Sequence, residues 1–492
     1  MSWRDPDASR LVGRKVPRVD GPAKVRGQAR YTYDVRLPGM LYGRLLTSPH
    51  AHCKIKSMDL GAVRKMPGVK CAIGQIGREL RFQGEWVAAV AAETDEQAED
   101  ALKAIRVEYE VLPFVPRVKE GLLAGAPAVF AGQSNLRADK PNRRGDPAAA
   151  LARATVVVDL TVQTPCQVHA CLEPHGVVAD WQPDGSLTVY ASTQGISSTQ
   201  EALATYLELP AAKVRVVCEH MGGGFGSKMG ATAVMGLTCK LAREAKAPVK
   251  LMLDRATELV TGGNRPPSFQ LIRAGATEDG TLSGLAIGTE GSAGVGTGSA
   301  AFHPYLYRVA DFHVEHVEVR THMPPSCAFR APAMPQGCVA MEATMDALAD
   351  ALGMDPLELR KQNDDSETRR AQYDLGAKAI GWSERAAKPG AGAGPIKRGY
   401  GMAASLWWGN GGKGNTVTVV IAPDGAVQAR AATQDIGTGT RTLVAAIVAE
   451  ELGLPIEAVD ARIGDTAFGQ GTGSGGSTTA ASVAPAALVE AR

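Results

Sequence analysis

Residues 221–229 read MGGGFGSKM, residues 435–442 read DIGTGTRT, and residues 469–482 read GQGTGSGGSTTAAS. Each leads into a helical pattern. Backbone amides and hydroxyls gathered at a helix N-terminus favour an anion, through the helix dipole and the unpaired amides of the first turn. The first loop is not a phosphate loop of a nucleotide triphosphatase: Ser227 stands where the second glycine belongs, and Met229 replaces the hydroxyl that would hold magnesium. It is not a dinucleotide turn either, because Ser227 takes the third glycine position. A fourth segment, Phe329 to Gly337, places Arg330 among alanines and prolines that restrict the backbone. Several such segments in different parts of the chain suggest a large, flat, polar, phosphate-bearing ligand gripped from several sides.

The surrounding elements can be read from spacing. Strand patterns at 41–47, 69–73 and 86–92 surround a helix opened by the Thr94–Gln97 capping box. This region, 14–116, reads as a first α/β domain, followed by a linker over 117–150. A second region, 151–385, carries strands at 155–163, 186–192 and 213–218. It also carries a helix that the Ser197–Gln200 pair is expected to cap, and another from about 230 to 244. Cys338, Met341, Met345, Leu348 and Leu352 form an apolar stripe ending at Gly353, and Asp355-Pro356 opens the next helix. After a Gly/Ala/Pro linker at 386–397, a third region, 398–492, has strands at 415–422 and 426–433, joined by a Pro423-Asp424-Gly425 turn, and a helix over 441–452. The final stretch is a helical pattern cut at Arg492, and the ending reads as premature. The fold class expected is α+β, with mixed sheets and helices and an incomplete second half.

Composition narrows the function. The 492 residues call for several domains, and a net charge of +2 with 5% aromatic residues gives no case for nucleic acid. No run of about 18 apolar residues occurs and the N-terminus has no apolar signal core, so a cytoplasmic, non-membrane chain is expected. The eight cysteines include no C-x-x-C pair, which leaves no pattern for an iron–sulfur cluster in this chain.

Taken together, GRKVPRVDGPAKVRGQARYTYD, GEWVAAVAAET, LEPHG at 172–176, STQ at 192–194, MGGGFGSK, AFRAP and GTGSGGSTTAAS resemble the molybdopterin-binding subunit of the xanthine dehydrogenase and aldehyde oxidoreductase family. The wording DIGTGT and FRAP is most similar to the bacterial aldehyde and isoquinoline oxidoreductase branch. The resemblance covers nearly the whole chain. It implies an N-terminal hammerhead-like domain and two molybdopterin-binding domains. It also implies molybdenum on a molybdopterin, in bacteria often the cytosine dinucleotide form, with the metal held by the pterin dithiolene rather than by protein ligands. The implied reaction is hydroxylation of an aldehyde or an N-heterocyclic carbon with water as the oxygen source. Electrons would leave through 2Fe-2S and FAD partner subunits.

Carried over residue by residue, the resemblance assigns cofactor binding to Gln194, Gly223, Gly224, Phe225, Gly226 and Arg330. It further assigns Gly437, Thr438, Gly439, Thr440 and Arg441, and Ser474, Thr479, Ala480, Ala481 and Ser482. The family's catalytic glutamate lies in a G-x-G-E segment with no match here, so no catalytic base is identified in this chain; a second polypeptide carrying it, or a fragment, is implied. Glu173 and Asp435 are read as structural. Met229 stands where purine-oxidising members carry a glutamate, and Ala331 where carbon monoxide dehydrogenases carry a cysteine, which disfavours both substrates. The competing readings are a catalytically silent cofactor-binding or scaffolding subunit, and a nucleotide-binding protein.

Overall fold

The computed structural model describes every residue except Met1, Ser2, Arg4, Tyr305, Ala387, Lys388, Pro389, Gly392 and Lys413, so the expected 386–397 linker falls partly outside the described residues. The architecture is mixed α and β, as expected. Its largest sheet has seven strands, in the order Val214–Val217, Leu187–Ala191, Gly176–Trp181, Val249–Met252, Leu41–Thr47, Trp86–Ala92 and Val69–Gly74. The N-terminal strands join the rest through a parallel pairing of Leu41 to Gly43 with Val249 to Leu251. One continuous sheet therefore runs across the boundary between the first two regions.

Trp86–Ala92 is apolar and buried along nearly its whole length, as a strand covered on both faces must be. The helix Asp95–Ala104 beside it has the reciprocal Thr94–Gln97 capping bonds. On the other face the helices Ile196–Leu207 and Ala233–Ala245 pack their leucines into a second core, which includes Ala89 and Ala91. The first of these corrects an expectation. Its N-cap is Gly195, and Ser197 lies inside the first turn, where its hydroxyl accepts the Gly471 amide (3.1 Å) instead of capping. Gln200 reaches the Val214 carbonyl (2.6 Å).

A six-stranded sheet is built on Val156–Thr164, Ser268–Ala276, Leu282–Gly291 and Asp311–Val319, with short strands at its rim. The helix Met334–Leu352 lays Met341, Met345 and Leu348 on it and ends at Gly353 in the left-handed conformation. The C-terminal region has strands Val417–Ile421, Val427–Ala431 and Val459–Ile463, covered by helices Thr440–Leu452 and Thr479–Glu490. Leu11, Val12, Val16 and Val19, from the opposite end of the chain, pack into this core. They are held there by Glu450, whose carboxylate accepts the amides of Arg10 and Leu11. Among the described residues no helix is long and apolar enough to cross a membrane.

Candidate functional site

The helix Ile196–Leu207 begins just after strand Leu187–Ala191, so Gln194 sits at the strand-to-helix turn and is only 2% exposed. A buried amide has to be satisfied on both sides. Its Oε1 accepts the Gly226 amide (2.7 Å), and its Nε2 donates to the Ser474 carbonyl (2.8 Å). Its backbone accepts the Ser474 amide (2.6 Å) and donates to the Lys228 carbonyl (2.8 Å). Gln194 thus ties the 221–229 loop to the 469–482 loop. Gln434, which sequence reading missed, makes the matching tie. Its Oε1 accepts the Ile196 amide (3.1 Å) and its Nε2 donates to the Ser474 hydroxyl (2.6 Å). Its position directly before the DIGTGT motif was the available signal.

Four of the predicted segments therefore meet. The Arg330 amide donates to the Phe225 carbonyl (2.7 Å), which brings the fourth segment against the first. Phe225 has φ +52° and Gly226 φ +113°. A Cβ on Gly226 would stand 2.2 Å from the Ala328 carbonyl oxygen, so glycine is required there by contact as well as by conformation. The Gly226 amide is taken by Gln194. Among the described residues the amides of Gly223, Gly224 and Phe225 meet no protein acceptor. The Arg330 side chain is exposed, and no acidic side chain among the described residues pairs with it.

The other two loops differ in how they are finished. Asp435, buried, accepts the amides of Gly437 (2.8 Å), Gly439 (3.1 Å) and Arg441 (3.3 Å), and Arg18 reaches the same carboxylate (3.5 Å). Thr438 is exposed at the tip, and Thr440 is buried at the start of its helix. The Arg441 guanidinium donates to the carbonyls of Ala461 (2.7 Å) and Glu219 (3.0 Å). At the other loop the N-cap Thr478 makes no side-chain cap, so the first-turn amides of Thr479, Ala480 and Ala481, which no helix satisfies internally, are left uncapped. Ser482 accepts the Gly412 amide (2.6 Å) and donates to the Thr478 carbonyl (2.7 Å).

Behind the first loop lies a buried polar layer. The Glu173 carboxylate accepts from Ser192 Oγ (2.9 Å), the Gly222 amide (2.8 Å) and the Tyr33 amide (3.1 Å). Lys228, fully buried, donates to the Glu173 carbonyl (2.6 Å) and Ser192 Oγ (2.8 Å), and burial pulls its pKa down. His175 is fixed between Glu258 (2.9 Å) and the Ser227 carbonyl (3.0 Å). The Glu173 and Asp435 carboxylates each accept three or more hydrogen bonds from the protein and hold the loops around them. Burial pushes the Cys327 thiol up to about 11 and raises that of Cys171, so both stay protonated and poorly nucleophilic at neutral pH. Trp407 and Trp408 stack (5.1 Å between ring centroids). Trp408 is 49% exposed, while Trp407 packs on the core under Met334–Leu352.

Among the described residues the arrangement offers unclaimed amides, the unpaired Arg330 guanidinium and close-packed glycine backbone. Among the described residues no group of three or more His, Cys, Asp or Glu side chains could hold a bare metal ion. This donor set suits a polar, anionic organic group, including one that carries a metal on ligands of its own.

Comparison with known proteins gives the same answer. Models described as molybdopterin cofactor-binding domains match residues 131–364 and 375–492, and the aldehyde oxidase and xanthine dehydrogenase a/b hammerhead domain matches 26–76. The aldehyde oxidoreductase molybdenum-binding subunit PaoC of Escherichia coli is 32% identical over 507 residues, covering 96% of this chain and 68% of that protein. The nicotinate dehydrogenase large molybdopterin subunit of Eubacterium barkeri is 31% identical over 383 residues, covering 72% of this chain and 89% of that protein. In fold, the chain matches the aldehyde oxidoreductase of Desulfovibrio desulfuricans with a TM-score of 0.86 at 23% identity, over 100% of this chain and 61% of that one. The chain belongs to the molybdenum-binding subunits of the aldehyde oxidoreductase and xanthine dehydrogenase family.

Proposed function

We propose that this chain, as such a subunit, holds molybdopterin in its cytosine dinucleotide form where the 221–229, 329–337, 435–441 and 469–482 segments meet. With partner subunits it hydroxylates an aldehyde or an N-heterocyclic carbon, taking the oxygen from water. The observation that carries this reading is the junction itself: Gln194 and Gln434 lock the loops together, and the amides of Gly223, Gly224 and Phe225 are left without protein acceptors.

When bound, the molybdenum centre supplies oxygen transfer to carbon and a two-electron redox change. The chain's own residues position and polarise. The second Nε2 hydrogen of Gln194 and the Phe225 amide donate without adding charge. Arg330 adds a fixed positive charge where negative charge has to be stabilised. The open first turn at Thr479 to Ala481 and Ser482 receives phosphate or pterin oxygens. The 435–441 loop contributes the Thr438 and Thr440 hydroxyls, since Asp435 has taken three of its amides. Glu173 and Asp435 are committed to the loops they hold, so neither is assigned as the general base, and 2Fe-2S and FAD subunits carry the electrons away. Such an arrangement accords with relatives that are themselves named as subunits.

The test uses the complex purified from its native source, a dye as electron acceptor, and panels of aldehydes and N-heteroarenes in ¹⁸O-labelled water. Products carrying one ¹⁸O support the hydroxylase. A molybdenum-loaded complex that turns over none of them supports the silent-subunit reading instead.

A further inference from the structure

Arg265 lies on the two-residue strand Asn264–Arg265, which pairs with Gln167–Val168. It is 6% exposed. Its guanidinium donates to the carbonyls of Arg330 (2.9 Å) and Ala331 (3.4 Å) and to Gln336 Oε1 (3.3 Å). It also lies over the Phe329 ring, 4.7 Å from the centroid. His169 stacks on the same ring, 4.2 Å between centroids at 21°, and its Nε2–H donates to the Ala328 carbonyl (2.8 Å). From 328 to 331 every residue is therefore gripped by its carbonyl or its ring, by two side chains that sequence reading passed over.

The cost of this grip is informative. Arg265 Nε is buried without a partner, and the one influence on the Arg265 pKa is burial, which lowers it. A guanidinium taken out of water with no carboxylate beside it is destabilising. Simple packing would be served better by methionine or leucine. What the guanidinium alone supplies is a rigid fork that meets two successive carbonyls while stacking on a ring. The loop it holds needs such restraint. Ala331 and Ala333 have φ +60° and +66°, a conformation that non-glycine residues keep only when their surroundings over-determine it.

We propose that Arg265, with the His169–Phe329 stack, is a positioning residue for Arg330. It fixes the peptide on which Arg330 stands, and so fixes the direction of a guanidinium that no side chain of the site restrains. The proposal rests on the reading that Arg330 faces the cofactor. It adds that the field at that point is set from behind, by a second arginine.

The test compares the native complex with complexes carrying Arg265→Met, Arg265→Lys or Phe329→Leu in the full chain. The rate at which phenylglyoxal modifies Arg330 is read by peptide mass spectrometry, with exposed Arg273 as the internal reference and molybdenum per chain measured on each sample. Arg265→Met is expected to raise the Arg330 rate fivefold or more relative to Arg273. Arg265→Lys, which can still reach the Arg330 carbonyl, is expected to return it to within twofold, and Phe329→Leu to fall between. A methionine variant within twofold of wild type, or a lysine variant as fast as the methionine one, overturns the proposal. If the methionine variant does not fold, Phe329→Leu decides: an unchanged Arg330 rate is the overturning result. A wild-type complex without molybdenum sinks the cofactor reading alone, because the Arg330 rates still decide the clamp.

Discussion

The helices Thr440–Leu452 and Thr479–Glu490 both start from glycine-rich loops, and in sequence the two starts look interchangeable. In the fold they are opposites. The first start is closed by its own anion, since Asp435 accepts the amides of Gly437, Gly439 and Arg441 and is itself met by Arg18. The second has no side-chain cap and keeps its first-turn amides open. A glycine-rich helix start thus offers its amides to a ligand only where the chain has not supplied an anion already. Five residues upstream of Thr440, the buried Asp435 carboxylate decides the matter.

This contrast can be broken or sharpened in several ways, and the largest effect is expected where backbone meets backbone. Gly226→Ala forces a Cβ onto the Ala328 carbonyl and should cost about 4 kcal/mol or more, read as a loss of folded complex in urea titration. Asp435→Ala should cost about 3 kcal/mol by stranding its amide donors. Added inorganic phosphate should raise the melting point of that variant and leave the wild-type 435–441 start indifferent, because only the variant has an anion to replace. Acid should act outside both starts. Burial lowers the pKa of His303 and of His322 to about 4 in the fold, against 6.5 for the free side chain. The unfolded imidazoles take up protons first, so stability is full above pH 6.5 and falls as pH drops toward 4, by roughly 2 to 3 kcal/mol for His303. Melting curves over that window, flattened in His303→Gln, check this. The smallest effect belongs to Gly437→Ala. Nothing lies within 4 Å of its missing Cβ, so only the strain at φ +103° remains, about 1 to 2 kcal/mol.

Local elements were largely legible in the sequence, because their signals are local. Strands 41–47 and 86–92 and the Thr94 cap occur where the pattern placed them, and the Met341–Met345–Leu348 stripe faces the core. Two kinds of feature were not legible. The strands Ser268–Ala276, Leu282–Gly291 and Asp311–Val319 carry glycines or charged residues among their apolar ones, and their pairing with one another became visible only in the fold. The parallel join of Leu41–Thr47 to Val249–Met252 has no local signature at all. The second kind is the buried polar residue. Gln434, Arg265 and His169 look like solvated side chains until the loops they hold are folded around them. Ser197 failed for the same reason, since a capping signal was answered by a distant amide. The motif loops themselves stood out because glycine runs are rare and costly. Which of their amides stay open could be learned only from the fold.

The central claim is that this junction holds a molybdenum cofactor. Its most direct test is molybdenum per polypeptide, by elemental mass spectrometry, on the complex purified from its native source. The account predicts a value near one, falling sharply in Gln194→Ala, where the tie between the 221–229 and 469–482 loops is cut. A value near zero in a folded complex with its partners present would contradict it.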